Sequence, residues 1–238
     1  MSLTKIPLTL AFCWAYKRSA TSPNPPPAQG DSRVSFSIME NPWYTQKLLF
    51  CATRLQWLAG LAETATILAW NFPSSPISKA VLSFLVLSTG NPEELRLSPV
   101  TTIGGWLMII GALIRLVTFR YLGKYFRFEA SLQEDHVLIT SGPYSIVRHP
   151  SYTGLIIAHP GWFLWQFGEG SWVRESGIWN TAVGKVVVMS FGIIIIIGPL
   201  YLTLERMSRE DRALKMRFGK EWEQWAGRVR YRVIPGVW

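Results

Sequence analysis

Uncharged apolar runs alternate with charged segments along the chain from residue 97 onward. Three of these runs, at residues 97–114, 149–168 and 186–204, contain no Lys, Arg, Asp or Glu. At ~1.5 Å per residue, a helix over such a run is long enough to cross a bilayer. A helix also satisfies its own backbone hydrogen bonds in lipid. The pattern therefore predicts transmembrane helices at about 100–119, 152–167 and 186–204.

Shorter apolar runs occupy the first half of the chain. Residues 5–16 are apolar between cationic flanks, as in a membrane span or in the apolar part of a signal peptide. No small-residue cleavage site follows cleanly, so we interpret residues 1–22 as a first span. The proline-rich stretch that comes next predicts a rigid linker at 23–46.

The remaining residues complete the predicted organisation. A helical hairpin interrupted by two prolines is predicted at 47–99, followed by a C-terminal region at 100–238. Within that region, 120–148 and 205–238 lie outside the spans and are expected to form a cap. The predicted fold class is an all-α integral membrane protein with five or six transmembrane helices.

Composition and charge strengthen the membrane interpretation. The chain is 49% hydrophobic and only 16% charged, whereas about a quarter of the residues in a soluble domain are charged. The net charge is +9, and much of the excess lies after Leu204. The positive-inside rule places this tail and the loop at 120–148 on the cytosolic side, so the cap is cytosolic. The anionic cytoplasmic leaflet accounts for the basic excess without a nucleic-acid partner.

Motifs for several other classes of protein are absent from the sequence. Cys13 and Cys51 form no CxxC pair, and the three histidines do not have the spacing of a zinc site. Neither a GxGxxG after a strand nor a GxxxxGK[ST] occurs. We therefore expect no metal or redox enzyme and no soluble type of nucleotide-binding fold.

The most informative cluster is the pair Arg148 and His149. It follows a polar turn at 141–144 and directly precedes an apolar run. Ionisable groups at the edge of a bilayer are costly unless they have a function or a partner. The simpler interpretation makes Arg148 a snorkelling anchor and His149 a headgroup-level residue.

A second charged group lies beyond the last predicted span. Apolar residues recur with helical spacing over 205–229, either in one helix or in a helix kinked at Gly219. Arg206 and Glu210 are four residues apart and share one face. Solvated ion pairs on a surface helix would explain this pattern. Antiparallel packing of the last two spans, however, predicts that the pair approaches the first cluster.

Two stretches of sequence carry a family resemblance. HVLITSGPYSIVRHPSYTG at 136–154, followed about fifty residues on by RMSREDRALKMRFGKEWEQWAGRV at 206–229, resembles the isoprenylcysteine carboxyl methyltransferase family. The opening SLTKIPLTL is similar to fungal members. The resemblance implies an enzyme that uses S-adenosylmethionine to methylate prenylated CaaX-type proteins after C-terminal proteolysis. It also implies an endoplasmic reticulum membrane location with a cytosolic active site and C-terminus.

The resemblance implies roles for individual residues. Arg206 would meet the substrate carboxylate, with Arg148 as the second choice for that role. Ser208 and Arg209 stand where acidic residues are common in animal members, which bears on substrate preference. The residues implied to line the S-adenosylmethionine pocket are Glu129, His136, Val137, Leu138, Ile139, Tyr144, His149, Pro150, Ser151, Tyr152 and Glu210.

The implied chemistry is compatible with these residue types. An α-carboxyl group has a pKa of about 3.5 and is already ionised at neutral pH, so it needs no general base. Two alternatives remain open at this point. A phospholipid amine methyltransferase of the same architecture would find Arg206 a poor neighbour, and a non-catalytic membrane scaffold would use Arg148 and Arg206 as interface anchors. The sequence does not distinguish a farnesyl from a geranylgeranyl substrate.

Overall fold

The computed structural model describes residues 3–25, 32–33, 42–128 and 131–237. Helices account for nearly all regular structure in these ranges, which confirms the predicted all-α class. The helices are α1 (Lys5–Ser19), α2 (Pro42–Asn71), α3 (Pro76–Leu85), α4 (Pro99–Leu122), α5 (Pro150–Phe167), α6 (Trp172–Glu175), α7 (Ala182–Phe218) and α8 (Lys220–Arg228).

The strand content of the described ranges is one short antiparallel pair. Strand β1 (Ser32–Arg33) pairs with β2 (Ser131–Leu132), with Ser32 opposite Leu132 and Arg33 opposite Ser131. A ladder of this length cannot form an independent sheet. It ties the chain before α2 to the loop after α4.

One helical stretch of the described chain, Pro99–Tyr125, is long and apolar enough to cross a bilayer. It consists of α4 and the 3-10 turn that follows α4. The span predicted at 100–119 falls inside this stretch.

The chain divides into two compact units. The first consists of Met1–Lys17, Phe50–Ile110 and Ile157–Gly198. The second consists of Arg18–Leu49, Gly111–Ile156 and Pro199–Trp238. All the residues in the candidate site described below belong to the second unit.

The first unit is held by close aromatic and charged contacts. The Phe12 and Trp165 rings meet edge to face, with their centroids 4.4 Å apart. A Cβ added at Gly105 would overlap the Phe12 ring, so α1 and α4 require a glycine there. The Lys5 ammonium lies 2.6 Å from Glu63 Oε1, and both side chains are buried. Burial of these charges is tolerated because they are paired.

The second unit contains a close approach between α4 and α5. A Cβ at Gly154 would lie 2.6 Å from the Gly111 carbonyl oxygen. Arg115, a buried arginine of α4, donates from Nε to the Ser19 carbonyl (2.8 Å) and from Nη1 to Ser151 Oγ (3.0 Å). These bonds fix the first turn of α5, where several predicted site residues lie.

Helix α7 corrects one expectation. The sequence pattern predicts a span that ends at 204 and a helix over 205–229, but α7 continues without a break from Ala182 to Phe218. No glycine or proline lies between Tyr201 and Phe218, so nothing interrupts the helix. Of the two alternatives for residues 205–229, the structure has the break at Gly219, which has a φ of +53° and separates α7 from α8.

Candidate functional site

A tight turn positions the Arg148–His149 pair. The 3-10 turn Gly142–Ser145 begins at a glycine with a φ of +60°, where a Cβ would overlap the ring of Tyr121. Only glycine fits both the backbone conformation and the space. Pro150 then begins α5, where a proline is favoured because that position has no intrahelical N–H bond to lose.

His149 is held between two carboxylates of α7. Its ring is buried, with Nε2 3.0 Å from Asp211 Oδ1 and Nδ1 3.5 Å from Glu210 Oε2. Burial disfavours the charged imidazolium, but the interactions with Asp211 and Glu210 outweigh burial and raise the pKa of His149. The histidine is therefore both oriented and made more basic.

Glu210 joins α5 and α7 at the same place. Its Oε1 accepts hydrogen bonds from the Tyr152 hydroxyl (2.6 Å) and from Arg206 Nε (2.8 Å). Burial opposes ionisation, but the charge of Arg206 and the hydrogen bonds from His149 and Tyr152 lower the pKa of Glu210 to about 2. Glu210 is therefore a carboxylate at any physiological pH.

Asp211 forms ion pairs with two arginines of the site. Its Oδ2 lies 3.5 Å from Arg148 Nη2 and 3.4 Å from Arg232 Nε. The Arg148 guanidinium also lies over the ring of Trp222 in α8, 5.7 Å from its centroid. Among the described residues, three guanidinium groups, those of Arg148, Arg206 and Arg232, thus lie beside two carboxylates.

Tyr144 lies in the turn before the Arg148–His149 pair, and His136 lies in the irregular segment before that turn. The Tyr144 carbonyl accepts a hydrogen bond from Trp225 Nε1 of α8 (3.0 Å). Burial, with Glu210 nearby, raises the pKa of Tyr144, so its hydroxyl stays protonated. The His136 ring lies between the rings of Tyr125 and Phe218, with centroids 4.7 and 6.0 Å away.

His136 and Trp222 each present a buried polar nitrogen to the site's surroundings. Among the described residues, neither His136 Nδ1 nor Trp222 Nε1 has a hydrogen-bond partner. Burial and the charge of Arg217 lower the pKa of His136, so its ring is neutral at physiological pH. A buried donor without a partner is costly in the absence of a ligand or water.

The structure brings several of the predicted site residues into direct contact. Arg148, His149, Tyr152, Arg206 and Glu210 form the linked cluster just described. Of the other predicted residues, Pro150 is buried at the start of α5, Ser151 accepts a hydrogen bond from Arg115, and Tyr144 lies in the 3-10 turn. His136, Val137, Leu138 and Ile139 lie before that turn, in a segment without helix or strand. The predicted contribution of Glu129 lies outside the described residues.

Asp211, Arg232 and Arg115 are functional candidates that sequence reasoning missed. Asp211 had a signal, since it directly follows Glu210. Arg115 also had one, since it is an arginine at the end of an apolar run. Arg232 had none, because its contact depends on how the chain folds back after α8.

Comparisons with known proteins identify the family that the chain resembles. The profile of the isoprenylcysteine carboxyl methyltransferase (ICMT) family matches residues 103–169, which include the first motif. The chain is 27% identical over 132 residues to protein-S-isoprenylcysteine O-methyltransferase B of Arabidopsis thaliana, covering 55% of this chain and 57% of that protein. It is 27% identical over 139 residues to protein-S-isoprenylcysteine O-methyltransferase of Dictyostelium discoideum, covering 57% and 49%.

A relative of another class also matches. The chain is 26% identical over 101 residues to Delta(14)-sterol reductase erg24 of Schizosaccharomyces pombe, covering 42% of this chain and 19% of that protein. No solved structure matches. The chain spans about half the length of the two methyltransferase relatives. Together with the family profile, they confirm the resemblance to the isoprenylcysteine carboxyl methyltransferase family.

Proposed function

We propose that this protein transfers a methyl group from S-adenosylmethionine to the C-terminal carboxylate of a prenylated cysteine. The observation that carries the proposal is that three guanidinium groups of the described residues lie beside Glu210 and Asp211 at a partly buried site. A guanidinium group held in this way can bind a substrate carboxylate through charge-assisted hydrogen bonds. The phospholipid amine alternative is disfavoured, because Arg206 would repel a protonated amine.

The residues around the cluster fit S-adenosylmethionine. This cofactor supplies an electrophilic methyl group on a positively charged sulfur. The tyrosine rings of Tyr144 and Tyr152 offer π faces suited to a sulfonium, and ionised Glu210 suits an ammonium group. The unpartnered nitrogens of His136 and Trp222 would find acceptors in such a ligand.

The proposed chemistry requires positioning more than proton transfer. The substrate carboxylate is ionised at neutral pH, so no side chain has to remove a proton. Arg206 is the first choice to hold one oxygen of the substrate carboxylate. Its guanidinium is already fixed, because Nε donates to Glu210 Oε1 (2.8 Å). Arg148 is the second choice. A fixed carboxylate reacts faster because its approach to the methyl carbon is already oriented.

The proposed location is the endoplasmic reticulum membrane, with five or six spans and the site on the cytosolic side. Helix α4 supports the membrane part of this proposal, because apolar side chains stay exposed at helical spacing along one face. These residues are Val100, Ile103, Trp106, Ile110, Leu113 and Val117. In water such a face would be costly, whereas lipid solvates it. A prenyl chain dissolved in the same bilayer would reach the site laterally.

The proposal is tested by a methyl-transfer assay on membranes that contain the protein. The membranes are incubated with methyl-labelled S-adenosylmethionine and N-acetyl-S-farnesylcysteine. Base-labile methyl ester on the cysteine derivative supports the proposal. Label in phospholipid amines supports the lipid methyltransferase, and no protein-dependent label supports a non-catalytic scaffold.

Replacing His149 by alanine should weaken S-adenosylmethionine binding by about tenfold or more, because it removes a buried ring that orients Glu210 and Asp211. The variant should still be recovered in the membrane fraction. The measurement is the dissociation constant of the purified protein. His159→Ala, at the third histidine and within α5, is the matched control. Equal affinity of wild type and His149→Ala would contradict the assignment.

Protonation of His149 should make stability depend on pH. Its folded-state pKa is raised, so the stabilisation is fully present below its ordinary pKa of about 6.5. It is lost as pH rises through the folded-state pKa. The groups that face the ring are Asp211, Glu210 and Tyr152. The difference in melting temperature between wild type and His149→Gln, measured in detergent, should therefore become smaller from pH 5.5 to 9. A constant difference would contradict this.

A further inference from the structure

The chain after α8 folds back onto the Arg148–His149 pair. Arg148 N–H donates to the Tyr231 carbonyl (2.9 Å), and His149 N–H donates to the Arg232 carbonyl (2.8 Å). The Thr153 hydroxyl donates to the carbonyl of Val233 (2.7 Å), whose side chain is only 1% exposed. The segment Tyr231–Val233 is therefore a fixed part of the second unit.

The side chain of Arg232 makes a second set of contacts, to α7. Its Nε lies 3.4 Å from Asp211 Oδ2, and its Nη1 donates to Ser208 Oγ (3.3 Å). The other oxygen of Asp211, Oδ1, lies 3.0 Å from His149 Nε2. Asp211 thus connects Arg232 directly to the imidazole ring.

We propose that Arg232 is a positioning residue, which fixes the carboxylate of Asp211 and through it the ring of His149. The argument is geometric. Asp211 Oδ2 accepts no hydrogen bond from the described residues, so the nearby guanidinium charges decide how the carboxylate is oriented about its Cβ–Cγ bond. Arg232 and Arg148 approach Oδ2 at similar distances, 3.4 and 3.5 Å. Arg232 differs from Arg148 in that its own side chain is held by a hydrogen bond to Ser208 of α7, the helix that carries Asp211.

The inference rests on the proposed function, since it concerns binding of S-adenosylmethionine near His149. Arg232 itself would not touch the cofactor. At metal sites, loss of the carboxylate that orients a metal-bound histidine costs about 10- to 100-fold in affinity, and we expect a loss of the same order here. Cofactor affinity should therefore fall, while the KM for the prenylcysteine stays near the wild-type value.

The experiment measures the dissociation constant of S-adenosylmethionine for four purified full-length proteins. Arg232→Met should bind about tenfold more weakly or worse. Arg232→Lys, which keeps the charge, should recover part of the loss. Arg230→Met is the matched control, because Arg230 is an exposed arginine two residues away and should bind as wild type does. Where Arg232→Met does not accumulate, Arg232→Gln takes its place.

A double-mutant cycle separates positioning from a general loss of stability. In an Asp211→Asn background, Arg232→Met should have little further effect on affinity, because both changes break one chain of contacts. Additive losses, unchanged affinity in Arg232→Met, or an equal loss in Arg230→Met would overturn the inference. If wild-type protein binds no S-adenosylmethionine, the proposed function fails, and this inference fails with it.

Discussion

Arg206→Lys should lower kcat/KM for a farnesylcysteine substrate by about 30- to 900-fold, which corresponds to ~2–4 kcal/mol of lost transition-state stabilisation. Lysine keeps the charge but lacks the planar guanidinium that can bind a carboxylate and Glu210 together. Arg206 donates to Glu210 from Nε, and its side chain is 19% exposed, so few other groups can replace it. Binding of S-adenosylmethionine should survive the change.

Arg209→Lys is the matched control for this prediction. Arg209 lies on the same helix with a side chain 18% exposed, and it pairs with Glu205. Its replacement by lysine should leave kcat/KM close to wild type. If Arg206→Lys keeps full activity while Arg148→Lys abolishes it, the two arginines exchange roles. If Arg209→Lys is the variant that loses activity, the departure of this chain from the acidic pattern of animal members becomes the more important feature.

Glu210→Gln should abolish cofactor binding and destabilise the protein. Its carboxylate accepts from Tyr152 and Arg206 and faces His149. Removing one partner of a largely buried ion pair leaves the other charge uncompensated, at a cost of about 3–5 kcal/mol. Unfolding in detergent, followed by circular dichroism, should report the lower stability, and calorimetry should report the lost binding.

Glu205→Gln is the control for the stability measurement. Glu205 sits one turn before Arg209 on α7 and is more exposed than Glu210, so its ion pair should contribute only about 0–1 kcal/mol. Equal losses of stability in Glu210→Gln and Glu205→Gln would mean that the contacts around Glu210 contribute no more than an ordinary surface ion pair.

The local part of the site was predictable from the sequence. Arg206 and Glu210 are four residues apart on a helix, and this spacing brought them into contact as expected. The approach of His149 to Glu210 was predicted from antiparallel packing of the last two spans, and His149 Nδ1 lies 3.5 Å from Glu210 Oε2. Gly219 interrupts the helical pattern, and the structure has its break there.

The contacts that depend on the path of the chain were not predictable. Nothing in the periodicity of residues 205–229 shows that Arg232 returns to Asp211, because that contact is made by a segment without regular structure. The continuity of α7 was also missed, because the change from apolar to charged residues near Leu204 resembles an element boundary. The end of a helix depends on the helix propensity of its residues, however, and neither glycine nor proline occurs between Leu204 and Gly219.

The most direct test of the central claim compares a carboxylate substrate with its neutral counterpart. Purified protein is incubated with labelled S-adenosylmethionine and either N-acetyl-S-farnesylcysteine or its carboxamide, and the methylated product is quantified. We expect methyl ester from the acid and no methylated product from the carboxamide, because only the acid offers a carboxylate to the guanidinium groups. Methylation of both compounds, or of neither, would contradict the assignment of this site to carboxyl methyl transfer.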